Sequence, residues 1–471
     1  MAAACLLSRL ATAVSYIEDA DSLRFARSVA DGFDVAALQP HFPGYPVFWA
    51  AAKSLYLVTG SFSVAFALVG GLATLGLIAA GLVLLGVRLR SVRGLAWAAV
   101  VFFCPLGWLM GTRYMPDLLG LAAALGAVAL ALRAMQSRRP ADAVAAGLLA
   151  GLLAGLRLSY LPFVAVPLVG LLAVQSRLRV PLVAAGLAGT VVWLVPLVVD
   201  TGWAALVAAA QQQTVGHFMA FGGTALAEPA GWGTRLGRTI EAVWADGLGG
   251  WWPGRHGLTV LVALGLAAAF VAGVQALRED EAVRRALWWL LGCAAVYAVW
   301  IVAYQNVLYK SRHALPLIAV ALFVLALGGA RLWRHRWGRF VALDALAVYA
   351  AVALVLAAQH RQPTAIAQAT EHVRTLAAAQ PDLHVVSTPL VTFMLEAQRI
   401  EAVFLDTDDA GDLARLTTAY TEGLPIVSVG APVSAAATRP VRADTFYHNP
   451  YVNRMWPEVP VYGYPPARPA R

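Results

Sequence analysis

Long apolar runs alternate with short polar connections over the first three-quarters of the chain. A helix needs roughly 20 apolar residues to cross about 30 Å of hydrocarbon, and eleven runs approach or exceed that length. They fall near residues 2–15, 62–87, 94–110, 117–134, 142–156, 160–174, 180–199, 257–277, 286–303, 314–330 and 340–358. The fifth and sixth runs are short and close enough to form a hairpin. The pattern predicts a mostly α, polytopic membrane bundle over residues 1–358.

The polar connections differ between the two sides of the predicted bundle. Alternate connections are rich in arginine, namely RLRSVR (88–93), RAMQSRRP (133–140), SRLR (176–179), REDEAVRR (278–285) and RLWRHRWGR (331–339). The positive-inside rule places these on the cytoplasmic side, with the N terminus inside and the C terminus outside. The outer side then holds the long loops 16–61 and 201–256 and the end of the chain. We therefore expect the functional site on the outer face.

The chain changes character after residue 358. Three short apolar runs there are typical of buried strands, and helical stretches near 389–397 and 410–421 separate them. The runs are LHVVST (383–388), IEAVFLD (400–406) and LPIVSVG (424–430). We predict a small α/β extracytoplasmic domain over residues 359–471, without the glycine-rich fingerprint of a nucleotide site. The aromatic, proline-rich end either closes its sheet or covers a membrane-facing groove.

Composition supports a membrane protein and excludes other classes. Hydrophobic residues make up 60% and charged residues 13% of the chain, whereas soluble proteins average about a quarter charged. The net charge of +9 comes mainly from arginines in the short connections, so it does not indicate a nucleic-acid surface. The cysteines, Cys5, Cys104 and Cys293, all lie in apolar runs. Their spacing fits neither a disulfide framework nor a zinc site.

The densest polar stretch, DADSLRFARSVADGFDVAALQPHFPGYP (19–46), follows the first apolar run. From about Asp21 its pattern predicts a short amphipathic helix on the membrane surface, with Asp21 or Ser22 at the N-cap. Glu18, Asp19 and Asp21 crowd the start of that helix. A carboxylate at the mouth of a membrane bundle is a candidate general base, although a cap alone would also explain Asp21. The three carboxylates fit a divalent cation only weakly, so we assign no cofactor and leave a metal open.

Basic residues also lie at the outer ends of predicted spans, against the positive-inside bias. They are Arg157, Lys310, Arg312 and His313. Arginine binds phosphate through two parallel hydrogen bonds and lysine binds it as a point charge, so a lipid-borne phosphate is the expected ligand. The alternative is that these side chains only extend along the membrane surface. Arg113 and Asp117 in RYMPD either join this site or pair with each other.

Two elements of the first outer loop resemble the GT-C glycosyltransferases, polytopic enzymes that include protein mannosyltransferases and the aminoarabinose transferases of lipid A. That family has Asp, often Asp-Glu, after its first span and an H-P-P-x-Y-like element before its second. The matching residues are Asp21, His41, Pro43 and Tyr45. Ser22 stands in place of the Glu, and Phe42 in place of the first Pro. Three later segments are similar in the same order, so the resemblance covers roughly residues 10–330: RYMPDLLGLAAALGAVAL, GLLAGLRLSYLPF and YKSRHALPLIAVAL.

The resemblance implies inverting transfer of a sugar from a polyprenyl phosphate to a hydroxyl of a glycan, lipid or protein acceptor. Asp21, with Asp19 and Glu18 beside it, would supply the base, and the outer-face basic residues would stabilise the leaving phosphate. The residues left to bind substrate would be Arg24, His41, Tyr45, Arg113, Asp117 and Tyr160. The resemblance also implies a bacterial inner membrane, with the site on the outer side.

Two other functions stay open at this point. A transporter or flippase for a lipid-linked glycan would also need basic residues near lipid phosphates. It would normally carry ionisable residues along a path inside its spans, and here Asp344 is the main such residue. A catalytically inactive relative that acts as an envelope scaffold is the other alternative, because Ser22 replaces a carboxylate of the family.

Overall fold

The computed structural model describes residues 1–433 and 440–465 and is mostly helical. Its residues divide into two units. Unit 1 comprises Met1–Val14 and Arg24–Ala358, and unit 2 comprises Ser15–Leu23 with the described part of Gln359–Arg471. The sequence alone would place Ser15–Leu23 in the membrane domain, whereas in the structure this segment belongs to unit 2.

Unit 1 consists of helices joined by turns and by longer loops, such as residues 31–45 and 248–258. In chain order the helices that build or border it are α1 (Ala2–Ala11), α2 (Ala20–Ala30), α3 (Pro46–Thr59), α4 (Phe62–Leu85), α5 (Val92–Phe102), α6 (Pro105–Met110), α7 (Asp117–Ser137), α8 (Pro140–Arg157), α9 (Leu161–Val174), α10 (Arg179–Thr201), α11 (Trp203–Val215), α12 (Trp232–Glu241), α13 (Thr259–Ala276), α14 (Glu281–Tyr304), α15 (Leu315–Leu332) and α16 (Arg336–His360). Side chains cap several of them, as where Ser61 accepts from the N–H of Val64 at the start of α4. Proline at the first or second position opens others, including α3 and α15.

Among the described residues, eight helical stretches are long and apolar enough to cross a membrane, so this is a multi-pass membrane protein. The number differs from the expected eleven for three reasons. Helix α1 has 10 residues and α5 has 11, about 15–17 Å at the rise of an α-helix, which is too short to span a bilayer. The fifth and sixth predicted runs form one continuous stretch, Pro140–Val174. The eleven spans and their orientation stay predictions.

The predicted hairpin is nevertheless present within Pro140–Val174. Leu171, near the end of α9, packs in one apolar cluster with Ala143 and Ala146, near the start of α8. The chain must therefore reverse between the two helices, at the 3-10 turn that follows α8. Arg157, the last residue of α8, lies at the closed end of this hairpin.

Glycines let α8 approach α10 closely. A Cβ atom on Gly147 would lie 2.2 Å from the carbonyl oxygen of Leu182, and one on Gly151 would lie 2.2 Å from that of Gly186. In a membrane, small residues allow the close backbone packing that apolar side chains alone do not drive. This contact helps to fix the helix that carries Arg157.

Unit 2 contains a five-stranded sheet in the order β2-β1-β3-β5-β4. Its elements are α17 (Ala365–Ala379), β1 (His384–Ser387), α18 (Pro389–Glu396), β2 (Val403–Asp406), α19 (Ala410–Thr421), β3 (Ile426–Val429), β4 (Arg442–Tyr447) and β5 (Glu458–Tyr464). Strand β1 pairs in parallel with β2 and β3, while β5 is antiparallel to β3 and β4. The predicted β-α-β-α-β unit is confirmed, and the aromatic end of the chain closes the sheet.

Candidate active site

Three ionisable side chains of unit 1 converge where helices end. Asp117 lies in the first turn of α7, Arg157 ends α8, and Arg312 lies in a 3-10 turn before α15. The Nη2 atom of Arg157 is 3.0 Å from Oδ1 of Asp117, and the Nε atom of Arg312 is 4.0 Å from the same oxygen. The side chains of Asp117, Arg157 and Arg312 are 0%, 9% and 6% exposed. Arg157 thus forms a close ion pair with the buried carboxylate, and Arg312 lies at the outer limit of ion-pair distance from the same oxygen.

Local sequence explains why Asp117 meets Arg157. Pro116 precedes α7, and a carboxylate in the first turn of a helix is stabilised by the helix dipole. One turn later, Gly120 leaves room for the partner, because a Cβ atom there would lie 2.6 Å from Cβ of Arg157. The sequence left open a pair between Asp117 and Arg113. Arg113 is buried in the loop before α7, and Asp117 forms its ion pair with Arg157.

Aromatic side chains surround Arg157. Its Nη1 atom donates to the hydroxyl of Tyr45 at 3.3 Å, and that hydroxyl lies 3.2 Å from Nε2 of His41. The guanidinium carbon is 5.8 Å from the ring centroids of both Tyr45 and Tyr160. Three residues predicted to bind substrate are therefore close to a residue predicted to bind phosphate.

Two tyrosines bind the turn that carries Arg312. The hydroxyl of Tyr160 donates to the carbonyl of Arg312 at 3.5 Å, and the hydroxyl of Tyr297 donates to the carbonyl of His313 at 2.9 Å. The two rings meet edge to face, with centroids 5.8 Å apart. Sequence reasoning missed Tyr297. The available signal was a tyrosine inside an apolar run, since a buried hydroxyl usually finds a partner.

His217 is a second residue that the sequence analysis did not single out. It lies in a π-helical turn, Gly216–Ala220, and its Nε2 atom is 2.8 Å from the carbonyl oxygen of Tyr304. Burial lowers the pKa of His217, and the charges of Lys310 and Arg157 lower it further, against the effect of the hydrogen bond to Tyr304. The charges of two predicted phosphate ligands, Lys310 and Arg157, therefore act on the imidazole of His217.

The lowered pKa of His217 predicts a pH-dependent stability. Since the unfolded state, with a pKa of about 6.5, binds the proton more tightly than the folded state, protonation favours unfolding. The contribution is absent well above pH 6.5 and destabilises the protein progressively as the pH falls below it. In His217→Gln, denaturant unfolding in micelles should lose less stability between pH 7 and pH 5 than in the wild type. Equal losses in both proteins would show that His217 does not titrate in this way.

The three acidic residues after α1 have different environments. Helix α2 begins at Ala20, because Oδ1 of Asp19 accepts the N–H of Ser22 at 2.8 Å and caps the helix. The expected N-cap at Asp21 or Ser22 is therefore wrong by two or three residues. Glu18 and Asp19 are 2% and 1% exposed, whereas Asp21, in the first turn, is only half-buried. Asp21 is thus the most accessible of the three.

The remaining predicted residues take separate positions. Arg24 is half-buried on α2. Lys310 is half-buried before the turn that carries Arg312, and its carbonyl accepts the N–H of the buried His313 at 3.2 Å. Within residues 1–433 and 440–465, no three His, Cys, Asp or Glu side chains are grouped so that they could share a metal ion.

No protein-family model and no curated protein matches the sequence. The structure is similar to ArnT from Cupriavidus metallidurans bound to undecaprenyl phosphate, with a TM-score of 0.59 and 15% identity over 98% of this chain and 96% of that one. For ArnT in the apo state the TM-score is 0.56, with 14% identity over 97% of this chain and 96% of that one. For an oligosaccharyltransferase from Archaeoglobus fulgidus in the apo form, the TM-score is 0.47, with 13% identity over 91% of this chain and 68% of that one. The chain therefore has an ArnT-like fold.

Proposed function

We propose that this protein is an inverting membrane glycosyltransferase, which moves a sugar from a polyprenyl phosphate to an acceptor hydroxyl on the outer face of the inner membrane. The observation that carries the proposal is the buried meeting of Arg157 and Arg312 at Asp117, within a GT-C-like fold. The similar ArnT structure holds undecaprenyl phosphate, which supports a polyprenyl-phosphate donor for this chain.

The basic residues suit a phosphate that becomes a leaving group. As the bond from the sugar to the lipid phosphate breaks, negative charge grows on the phosphate oxygens. Preoriented guanidinium groups in a water-poor site stabilise that charge more than water would. The buried Nε–H of Arg157 has no hydrogen-bond acceptor within the described part of the chain, so it is a donor to which a phosphate oxygen can bind. Lys310 adds a point charge.

Asp21 is the proposed base because of its place in the sequence and because it is the most accessible of the three acidic residues. Its carboxylate accepts the proton of the acceptor hydroxyl, whose oxygen attacks the anomeric carbon. The bond between that carbon and the phosphate oxygen breaks, and the lipid phosphate leaves with the bonding electron pair. Attack from the side opposite the leaving group inverts the configuration. His41 and Tyr45 are proposed to bind substrate.

Removing a phosphate ligand should weaken use of the donor. A hydrogen bond to a charged group is worth about 1.5–3 kcal/mol, so Lys310→Ala and Arg312→Ala should each lower kcat/KM for a synthetic polyprenyl-phosphate sugar roughly ten- to hundred-fold. Purified protein in lipid nanodiscs and a radiolabelled donor give the measurement. Arg278→Ala, which removes an exposed arginine from the predicted cytoplasmic side, is the matched control and should keep wild-type kinetics. Wild-type kinetics in all three variants would mean that Lys310 and Arg312 do not bind the donor phosphate.

The same preparation separates the two alternative functions. A flippase would move the labelled lipid-linked sugar across the bilayer without transferring it. A scaffold would do neither, and mass spectrometry of the cell-envelope glycans would then be unchanged when the gene is deleted. Transfer of label to an envelope acceptor, lost on deletion, is the result that the proposal predicts.

A further inference from the structure

The segment Ser15–Leu23 is built into the core of unit 2. Ala20 and Leu23 are buried in one apolar cluster with residues of α17, β3 and β5, including Ile366 and Val459, and Ile17 packs against the same cluster. A surface loop of a membrane bundle would not contribute to the core of another unit. The α/β unit therefore holds the stretch of chain that carries the proposed base.

A polar network anchors this segment at Glu18. One carboxylate oxygen lies 3.0 Å from Nε2 of His360, and the other accepts from Nδ2 of Asn453 at 3.1 Å. The carbonyl of Glu18 accepts from the hydroxyl of Thr364 at 3.3 Å, and the hydroxyl of Tyr16 donates to the carbonyl of His360 at 2.8 Å. Glu18, His360, Thr364 and Asn453 are all buried. Burial makes each of these contacts costly to lose.

The partners of Glu18 are themselves held in place. His360 ends α16, and Asn453 lies between β4 and β5. The side-chain oxygen of Asn453 accepts the N–H of Met455 at 2.9 Å, and its carbonyl lies 2.8 Å from Nε2 of His448. Glu18 is thus tied to two separately fixed parts of unit 2, which define one position for the segment.

We propose that Glu18, with His360 and Asn453, is a positioning residue that holds the first turn of α2, and Asp21 with it, where proton transfer takes place. The inference rests on the proposed function. Glu18 precedes Asp21 by three residues, and between them Asp19 caps the helix, so a shift at Glu18 is transmitted to Asp21 through a short, rigid stretch. A displacement of about 1 Å can cost a catalytic group about a hundredfold in rate. This role differs from that of a base at Glu18, because it needs the shape of the side chain and not its charge.

The test compares two substitutions of one residue. Glu18→Gln keeps the length, still accepts from Asn453 and can donate to Nε2 of His360, so its kcat should stay close to that of the wild type. Glu18→Ala removes both contacts and should lower kcat about tenfold to hundredfold, with the donor KM unchanged. If Glu18→Gln is as inactive as Glu18→Ala, Glu18 acts through its charge and the positioning role is overturned. Wild-type kcat in Glu18→Ala overturns it as well.

Ser387→Ala controls for general loosening of unit 2. It removes a buried hydrogen bond of 2.8 Å to Thr392 in the same unit and should leave kcat per folded molecule unchanged. An equal loss in Ser387→Ala would contradict a specific effect of Glu18. If Glu18→Ala does not fold, Asn453→Ala replaces it, since this variant keeps the contact between Glu18 and His360, and an unchanged kcat there would count against the proposal.

A readout without catalysis separates the inference from the proposed function. Hydrogen exchange at the amide of Ser22 should be faster in Glu18→Ala than in the wild type and unchanged in Ser387→Ala. Unchanged exchange in Glu18→Ala refutes the anchoring, whatever the activity. A wild-type protein that transfers no sugar, with exchange as expected, overturns the proposed function and the positioning of a base with it, while the anchoring of the segment stands.

Discussion

Asp21→Asn is expected to slow sugar transfer by at least about a hundredfold, the usual scale of a general base, while the protein still inserts and binds its donor. Asparagine has the size of aspartate but cannot accept the proton. Asp21 is the member of its acidic group that an acceptor can best reach, since Glu18 and Asp19 are almost completely buried. Single-turnover transfer at saturating donor measures the chemical step, and binding of labelled donor reports the integrity of the protein.

Asp19→Asn is the matched control, because it makes the same chemical change two residues away. Asparagine caps a helix about as well as aspartate, so the cap on α2 should persist and activity should fall much less. A fully active Asp21→Asn with an inactive Asp19→Asn would move the base to Asp19 and leave the enzyme class intact. If both variants and Glu18→Gln transfer sugar normally, this loop is not catalytic.

The fold was largely predictable, because lipid imposes a simple pattern on sequence. Each predicted apolar run corresponds to helix, and β1, β2 and β3 coincide with the three predicted strand runs. The sequence alone did not predict β4 and β5, and no residue of β4 is buried. The lengths of the helices were not predictable, because the length of an apolar run does not show where a helix breaks. The run at 94–110 is divided between α5 and α6, where Pro105 starts a new helix. The apolar residues on either side hide that break.

The sequence singles out candidate site residues by type but does not show their contacts. Arg157 and Arg312 stand out because they are basic residues at span ends predicted to face outward. The sequence did not identify Arg157 as the ion-pair partner of Asp117. Arg113 is only four positions from Asp117 along the chain, whereas Arg157 reaches Asp117 only through the packing of α7 on α8. Arg9 shows the same limit. It is buried in α1 with its guanidinium 4.0 Å from the ring of Trp108, a contact between distant parts of the chain.

Membership of a unit was also beyond the sequence. Ser15–Leu23 is adjacent along the chain to α1 and to the rest of α2, and adjacency suggests one domain. Its apolar side chains instead pack in the core of unit 2. A short segment cannot show which of two cores will accept its side chains, since any apolar surface of suitable shape would fit.

Asp117→Asn should lower the free energy of unfolding by about 3–5 kcal/mol, because removing one partner of a buried ion pair leaves the other charge without compensation. Here Arg157 and Arg312 both lie within 4.0 Å of one oxygen of Asp117. The substitution would leave the buried guanidinium group of Arg157 beside a neutral amide. Denaturant unfolding in micelles, followed by circular dichroism, measures the loss.

An exposed ion pair supplies the control for the same chemical change. Arg27 and Asp31 lie 3.2 Å apart with side chains 33% and 43% exposed, so Asp31→Asn should cost no more than about 1 kcal/mol. Combining Asp117→Asn with Arg157→Gln removes both charges of the buried pair, and the double variant should be more stable than the sum of the two single losses predicts. Strictly additive losses, or a loss at Asp117 no larger than that at Asp31, would mean that Asp117 does not hold the arginines in place. The proposed phosphate site would then need another source of order.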